Sequence, residues 1–487
     1  VRTTAFTMED SDALSALKMD LLTVEAADKI RKCIELLCDY GYLEKQATFK
    51  ETYYKYLHPS VIQYTEPKMW KKLNEGKIYD AFQMDTIDGS NAIRMIQPQS
   101  LRELSAANSL MRLQGETPPI NKYIEYKADI NKWYEDMRKE GLIESEIETL
   151  KNILADSYGI ACEQEAVMIL TQSPDISNFS MSESDKLRKI IAKKKIKLVE
   201  EIKQHYYEKG YEAGVRKEML DYVWNYQIKY SLGYSFSLLH TTAYSIILIQ
   251  EMNLSYCYPG IFWDTACLIC NSSSDEENTG DKVNYVKISK TLSGLGRETI
   301  SVPNINEAQF GFAPDVNNNK IIFSLKAISN INDVVAREIV NNRPYTSFDE
   351  FLTKMTEVKK KYNEAEEDTE DDSEESNKKF KLSTVGILNL IKAGAFDEFE
   401  DRQQLMQRYC SSVAKTIKNI TSVQIPSLTS LGMFSDEDLV YVKYFEFKKL
   451  LFVKENVVDK QGKSSTTWWY KITYYLSKYF VENILLY

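Results

Sequence analysis

Twelve residues from Lys186 to Lys197 (KLRKIIAKKKIK) carry seven basic side chains and no acid. Read as one helix, this run puts Lys186, Lys189, Lys193 and Lys197 on one face and Leu187, Ile190 and Ile191 on another, so it packs by one side and offers cations on the other. Phosphate is the anion such a face suits, because Lys and Arg donate charge-assisted hydrogen bonds to its oxygens. The plain alternative is a solvated face, against which stands the repulsion of seven like charges. A second feature is Asp20, set in Ala16-Leu-Lys-Met-Asp-Leu-Leu22; a carboxylate in an apolar run is costly unless it is paired, bound to metal or capping a helix. A third is Leu390-Ile-Lys-Ala-Gly-Ala-Phe-Asp397 followed by Arg402. Gly394 could let backbone amides approach a phosphate beside Lys392, or could simply stop a helix.

Other chemistries have little to work with. The chain has three histidines, His58, His205 and His240, so acid–base work would rest on other groups. Its seven cysteines are scattered and odd in number, which reads as free thiols in a reducing compartment. Cys267 and Cys270 form a CxxC, but no second pair stands at zinc spacing, so they read as packed thiols.

Elements must position these groups, and 487 residues suffice for several domains at roughly 100–200 residues each. No apolar run approaches the roughly 18 residues that cross a bilayer, and no secretory signal is present, so no membrane role is expected. The net charge of −10 argues against nucleic acid until its source is located: Glu364–Glu375 (EAEEDTEDDSEE) holds nine acids, and without them the balance is −10 + 9 = −1. The remaining basic residues are free to cluster. The chain opens on Val1 rather than Met, which suggests a processed or partial polypeptide.

Helical periodicity spans 13–43 up to the stop at Tyr40-Gly41-Tyr42, and 44–76 is aromatic and mixed. From 78 to 270 long amphipathic helices follow one another, among them Glu144–Ala155 and Lys193–Lys209. The polar stretch Asn271–Lys282 reads as a linker. Beyond it come 301–325, a helix near Val334–Asn341, an acidic insert over 359–381 that is expected to be disordered, and helices at Thr384–Ala393 and Asp401–Tyr409. The last 30 or so residues are irregular, with strands that periodicity alone does not place. The expected class is mainly α with some β, multidomain, divided as 1–76, 77–270, a linker at 271–300, 301–425 and a tail of unknown fold at 426–487.

In order along the chain, these segments resemble the bacterial C-family replicative polymerases, the DNA polymerase III alpha subunits. Thr4-Ala-Phe-Thr-Met-Glu-Asp10 through Leu17-Lys-Met-Asp-Leu-Leu22 is similar to the end of the palm, and Ala81-Phe-Gln-Met-Asp85 with Ile96-Gln-Pro-Gln-Ser-Leu-Arg-Glu-Leu104 to the start of the fingers. Tyr158-Gly-Ile160 through Met168 resembles the family's Tyr-Gly-Ile…Gln-Glu-Gln signature, and the basic run falls where the family has its Leu-Arg-Arg…Lys-Lys-Lys helix. Gly233-Tyr-Ser-Phe236 with His240 and Ala243-Tyr244 looks like Gly-Tyr-Gly-Phe…His-Ser-Ala-Ala-Tyr, with Tyr258-Pro259 following. Leu390–Asp397 is similar to the family's helix-hairpin-helix Leu-Ile-x-Ala-Gly-Ala-Phe-Asp.

The resemblance implies helical fingers followed by a tandem helix-hairpin-helix domain, and a nucleotidyltransferase that extends DNA on a template. It places the third catalytic, metal-binding aspartate on Asp20, with two Mg²⁺ ions shared with upstream carboxylates. It assigns primer-template DNA or incoming dNTP to Arg112, Lys186, Arg188, Lys189, Lys193, Lys194, Lys195 and His240, and DNA to a hairpin at Lys392 and Gly394. It further implies the cytoplasm of a bacterium or phage-infected host, and as partners a separate N-terminal polymerase polypeptide, a sliding clamp and other replisome proteins. Gly432-Met-Phe-Ser435 stands where the family has a loop after the hairpin domain, and no clear clamp motif follows.

Four departures qualify this. Arg112-Leu-Gln-Gly115 stands for Arg-Pro-Gly-Pro, and Ser237-Leu-Leu239 for Asn-Lys-Ser, which removes a lysine from the fingers. The first hairpin, Ala327-Ile-Ser-Asn-Ile-Asn-Asp333, lacks the family's glycines. The catalytic Pro-Asp-x-Asp-x-Asp is missing; Asp10-Ser-Asp12 lies only eight residues before Asp20 and matches a non-catalytic acidic run. Catalysis therefore needs carboxylates from an upstream polypeptide, and the alternative is a catalytically inactive DNA-binding relic of the same family. An unrelated helical scaffold is disfavoured by the ordered series of motifs.

Overall fold

The computed structural model describes residues 6–14, 24–111, 119–192, 196–231, 236–274, 283–295, 299–367 and 380–413, with strands at 452–458 and 464–470. Helices dominate, as the periodicity predicts, and among the described residues none is long and apolar enough to cross a membrane. The chain divides into two compact units at Cys270/Asn271.

The first unit is helical. Its elements that bear on function are α1 (Glu25–Asp39), α2 (Leu101–Leu110), α3 (Gln164–Gln172), α4 (Met181–Ala192), α5 (Ile196–Glu212), α6 (Lys217–Val223) and α7 (Leu238–Cys257). Apolar side chains at helical spacing make its core: Trp133, Ile147, Leu150, Leu187, Tyr206, Met219 and Trp224 are all buried. Helix α7 is the central strut. It is apolar on nearly every side, which suits a helix surrounded by others, and its buried polar groups are matched by neighbours. Ser245 accepts from Asn108 Nδ2 and Thr241 from Ser105 Oγ, each at 2.8 Å, which fixes α2 alongside.

Three expectations about elements change. The 13–43 stretch is not one helix: Met8–Ala13 and α1 are separate, and α1 closes through Gly41 at φ 76. The helix expected over Glu144–Ala155 runs Glu144–Leu154 and passes into a 3-10 turn. The basic run is divided between α4, which ends at Ala192, and α5, which starts at Ile196. Lys186 and Lys189 lie on α4, and Lys193–Lys195 lie outside the described residues.

The second unit opens with a small sheet ordered β1-β3-β2, from β1 (Ile300–Ser301), β2 (Ala313–Asp315) and β3 (Lys320–Ile322). β1 pairs with β3 in parallel, and β2 with β3 antiparallel. Helices α8 (Asp333–Asn341), α9 (Phe348–Glu367), α10 (Thr384–Ala393) and α11 (Arg402–Val413) follow. They enclose an aromatic core of Phe310, Tyr345, Phe348, Phe351, Phe396 and Tyr409. Residues 359–367, expected to be disordered, are helical as the end of α9. The two flanks of the acidic insert meet where Tyr362 stacks on Phe380 at 5.8 Å, and 368–379 lies outside the described residues. In the tail, strands β4 (Phe452–Val458) and β5 (Ser464–Tyr470) pair antiparallel, Phe452 opposite Tyr470.

Candidate nucleic-acid interface

The segment Tyr158–Glu165 is where three helices of the first unit are tied together. Tyr158 and Gly159 both take left-handed backbone, φ 48 and 78, and a Cβ on Gly159 would overlap the buried Trp133 indole, so glycine is required there on two counts. A π-helical turn over Trp224–Ile228 aims the buried Gln227 at this backbone. Its Oε1 accepts from the Ala161 amide at 2.9 Å and its Nε2 donates to Gly159 O at 3.0 Å. The Tyr158 hydroxyl donates to Glu103 Oε1 on α2 at 2.7 Å.

With the turn held, the next three residues reach three different elements. Glu163, 1% exposed, forms a two-pronged ion pair with Arg102 of α2 at 2.6 and 3.0 Å. The Gln164 amide donates to Phe236 O at 2.9 Å, and its side chain accepts from Arg188 Nη1 of α4 at 3.4 Å. Glu165 takes the N-terminus of α7, accepting from the Leu238 amide and Ser237 Oγ at 2.7 Å each, where a carboxylate complements the helix dipole.

Two kinds of side chain, basic and aromatic, are tied to this joint. On α4, Leu187 and Ile190 are buried while Lys186 and Lys189 are exposed. Asp185, one residue before the basic run, folds back onto it: its carboxylate lies 2.7 Å from Lys189 Nζ and 2.7 Å from Arg188 Nη2. Lys189 and then Arg188 pull its pKa down, so it stays ionised. Phe236, just before α7, stacks on His240 at 5.0 Å between centroids, His240 meets Tyr244 one turn on at 4.0 Å with the rings tilted, and Phe82 meets Tyr244 edge-on at 5.0 Å. All four rings are partly exposed. Cations beside half-exposed rings are the combination by which proteins hold nucleotide phosphates and stack bases.

In the second unit the first hairpin keeps its shape without glycine. Asn330 occupies the left-handed position at φ 65, which asparagine tolerates better than most residues. Asn332 then caps α8, accepting from the Val335 amide at 2.9 Å, and Lys326 pairs with Asp333 across the turn. Ser329 and Asn330 are exposed at the tip, and Asn389 of α10 donates to Ser329 O at 2.8 Å. The second hairpin is a correction. Gly394, at φ 88, ends α10: its amide donates to Ile391 O at 2.9 Å and the Ala395 amide to Leu390 O at 3.0 Å. Arg402, paired with Asp397, covers it. Those two amides are engaged within the turn, so the helix-stop alternative holds and the phosphate cradle at Gly394 is withdrawn. Lys392 is exposed beside it.

Of the residues expected to act, Arg188 and His240 are thus brought to one joint, through Gln164 and Glu165, with Lys186 and Lys189 on the same helix as Arg188. Asp20, Arg112, Lys193, Lys194 and Lys195 lie outside the described residues. Among the described residues no group of three or more His, Cys, Asp or Glu side chains could hold a metal ion. Sequence reasoning assigned no role to Asp185, Gln164, Glu165 or Gln227. The first carried a signal, the i,i+3 and i,i+4 spacing to Arg188 and Lys189; the others are joined by contacts far apart in the chain.

A helical unit followed by a second unit whose helices enclose a hairpin module is the architecture that the family models match. The comparisons agree. The bacterial DNA polymerase III alpha subunit finger domain matches residues 42–214, and a helix-hairpin-helix motif matches 298–367. The chain is 40% identical over 464 residues to Probable DNA polymerase YorL of Bacillus subtilis (strain 168), over 93% of this chain and 34% of that protein. The DNA-directed DNA polymerase of Bacillus phage SPbeta gives the same figures. The DNA polymerase III subunit alpha of Treponema pallidum (strain Nichols) is 26% identical over 467 residues, over 93% of this chain and 35% of that protein. Over these two segments and along nearly its whole length the chain is similar to the C-family DNA polymerases, those of the bacterial polymerase III alpha subunit. It spans about a third of the length of the curated relatives it matches.

Proposed function

We propose that this chain supplies the fingers and helix-hairpin-helix part of a template-directed DNA polymerase, binding primer-template DNA and the incoming dNTP. The observation that carries the reading is the joint at Glu163–Glu165, where Gln164 links Arg188 of α4 to the backbone of Phe236 and Glu165 holds the start of α7, the helix of His240 and Tyr244. Arg188, Lys186 and Lys189, with the adjoining Lys193–Lys195, neutralise phosphate. The rings stack on bases. Lys392 and the exposed tip of the first hairpin contact the DNA backbone in the second unit. Asp20 supplies one carboxylate to Mg²⁺, which would activate and orient the reacting oxygens. The remaining carboxylates come from a preceding polypeptide, and a sliding clamp is a further partner in a bacterial or phage-infected cell.

The test pairs a binding titration with primer extension. The chain should bind primer-template with an affinity that falls steeply with salt, and reversal of Lys193, Lys194 and Lys195 to Glu should flatten that dependence by close to one log–log unit per lost contact. Supplemented with the upstream polypeptide it should extend primers in Mg²⁺, and Asp20→Asn should abolish extension while leaving DNA affinity nearly intact. Salt-independent binding, or full extension by Asp20→Asn, would overturn the reading. Binding without extension in the supplemented mixture would leave the inactive relic.

A further inference from the structure

Polar side chains in the buried half of α7 each hold backbone of the segment before α2. Gln250 Nε2 donates to Leu57 O at 2.8 Å, and Asn253 accepts from the Gln63 amide at 2.8 Å while donating to Gln63 O at 3.0 Å. Glu251, between them, differs. It is fully buried, one carboxyl oxygen accepts from the Phe82 amide at 2.8 Å, and the other has no hydrogen-bond partner among the described residues. A buried carboxyl with one oxygen unmatched costs stability, and departures of that kind concentrate where function demands them.

The amide it holds lies in a strained turn. Asp80 and Gln83 both take left-handed backbone, φ 54 and 65, although neither is glycine. Lys29 of α1 clamps Asp80 at 2.6 Å, with side chains 8% and 14% exposed. The close approach of the following helix leaves no room to relax: a Cβ on Gly89 would come within 2.8 Å of Met84 Cα. What this turn delivers is the Phe82 ring, against Tyr244 at 5.0 Å.

We propose that Glu251 is a positioning residue for the nucleic-acid site: by holding the Phe82 amide it fixes the last ring of the Phe236–His240–Tyr244–Phe82 ladder. The inference rests on reading that ladder as part of the substrate surface. The group works as a neutral acceptor. Burial pushes its carboxyl well above the usual carboxylate range, opposed by the Phe82 amide and Lys29, so glutamine, which keeps an acceptor in the same place, should replace it.

The experiment is performed on the whole chain with two readouts. The first is ¹³C-histidine NMR, in which His240 is one of only three signals and its ring-current shift reports the Tyr244 stack. The second is affinity for a fluorescent dATP analogue and for primer-template DNA. Glu251→Leu should move the His240 signal, leave that of His205 in place, and weaken nucleotide affinity about two- to tenfold, the worth of one aromatic contact. Glu251→Gln should keep both at wild type. Should Glu251→Leu fail to fold, Phe82→Leu, which keeps the amide and removes the ring, should reproduce both changes. A Glu251→Gln variant that behaves like the leucine variant, or a His240 signal unmoved by Glu251→Leu or by Phe82→Leu, would overturn the proposal. A wild-type chain that binds neither probe would instead refute the ladder as a substrate surface, while the His240 signal would still decide the role of Glu251.

Discussion

Replacing Asp185 with asparagine should tighten DNA binding, although it removes two ion pairs. Its carboxylate sits 2.7 Å from both Lys189 Nζ and Arg188 Nη2 on the face assigned to phosphate. A DNA phosphate docking there must displace that carboxylate or accept its repulsion. Asp185→Asn removes the charge, keeps the shape and raises the local balance by one positive unit. If the change admits one further phosphate contact, the log–log salt slope should steepen by about 0.9 unit on a duplex and about 0.7 on a single strand. Affinity at low salt should rise about two- to fivefold, the effect of removing one like charge a few ångströms from a phosphate in water. Folding should barely change, since exposed pairs of this kind contribute little. The assay is fluorescence anisotropy with labelled primer-template from 50 to 300 mM salt, against Glu148→Gln as control; Glu148 pairs with Lys151 on another helix, so it makes the same change in net charge elsewhere. An Asp185→Asn variant whose slope and affinity match the control would show that this face of α4 does not meet phosphate.

Two further outcomes test the packing of the first unit. Gly159→Ala should destabilise the first unit by about 2–4 kcal/mol, combining the left-handed backbone penalty with overpacking against Trp133; a urea midpoint within error of wild type would contradict the geometry. Glu183 is held down to about 2 by the Ser180 amide, then by the Ser180 hydroxyl and the His205 ring, which it meets at 2.7 Å. Because the folded value lies below the roughly 4.3 of an unfolded glutamate, its contribution is complete above about pH 5 and is lost as pH falls toward 2. The gap in melting temperature between wild type and Glu183→Gln should therefore close across that window, and a constant gap would show that the carboxylate is not stabilised there.

Asn330 shows how far local chemistry carries and where it stops. Ala327–Asp333 lacks the family's glycines, yet asparagine can supply the left-handed residue that the turn needs, a property written in its side chain. At Gly394 the sequence left two alternatives open, and only the partners of the neighbouring amides chose between them.

By itself the sequence determined the family resemblance, the helical class, the cationic character of Lys186–Lys197 and the buried face of α4, because these depend on residue type and on spacing within a few turns. Tertiary structure alone decided that Glu163, Gln164 and Glu165 reach Arg102, Arg188 and the start of α7, and that Gln227 grips Gly159 and Ala161 from 68 and 66 positions away in the chain. It alone set Glu251 behind Phe82 across a separation of 169 residues. A hydrogen bond between distant residues leaves no period in the sequence; it exists only once burial of the apolar faces has brought the helices together and each polar group enclosed between them must find a partner.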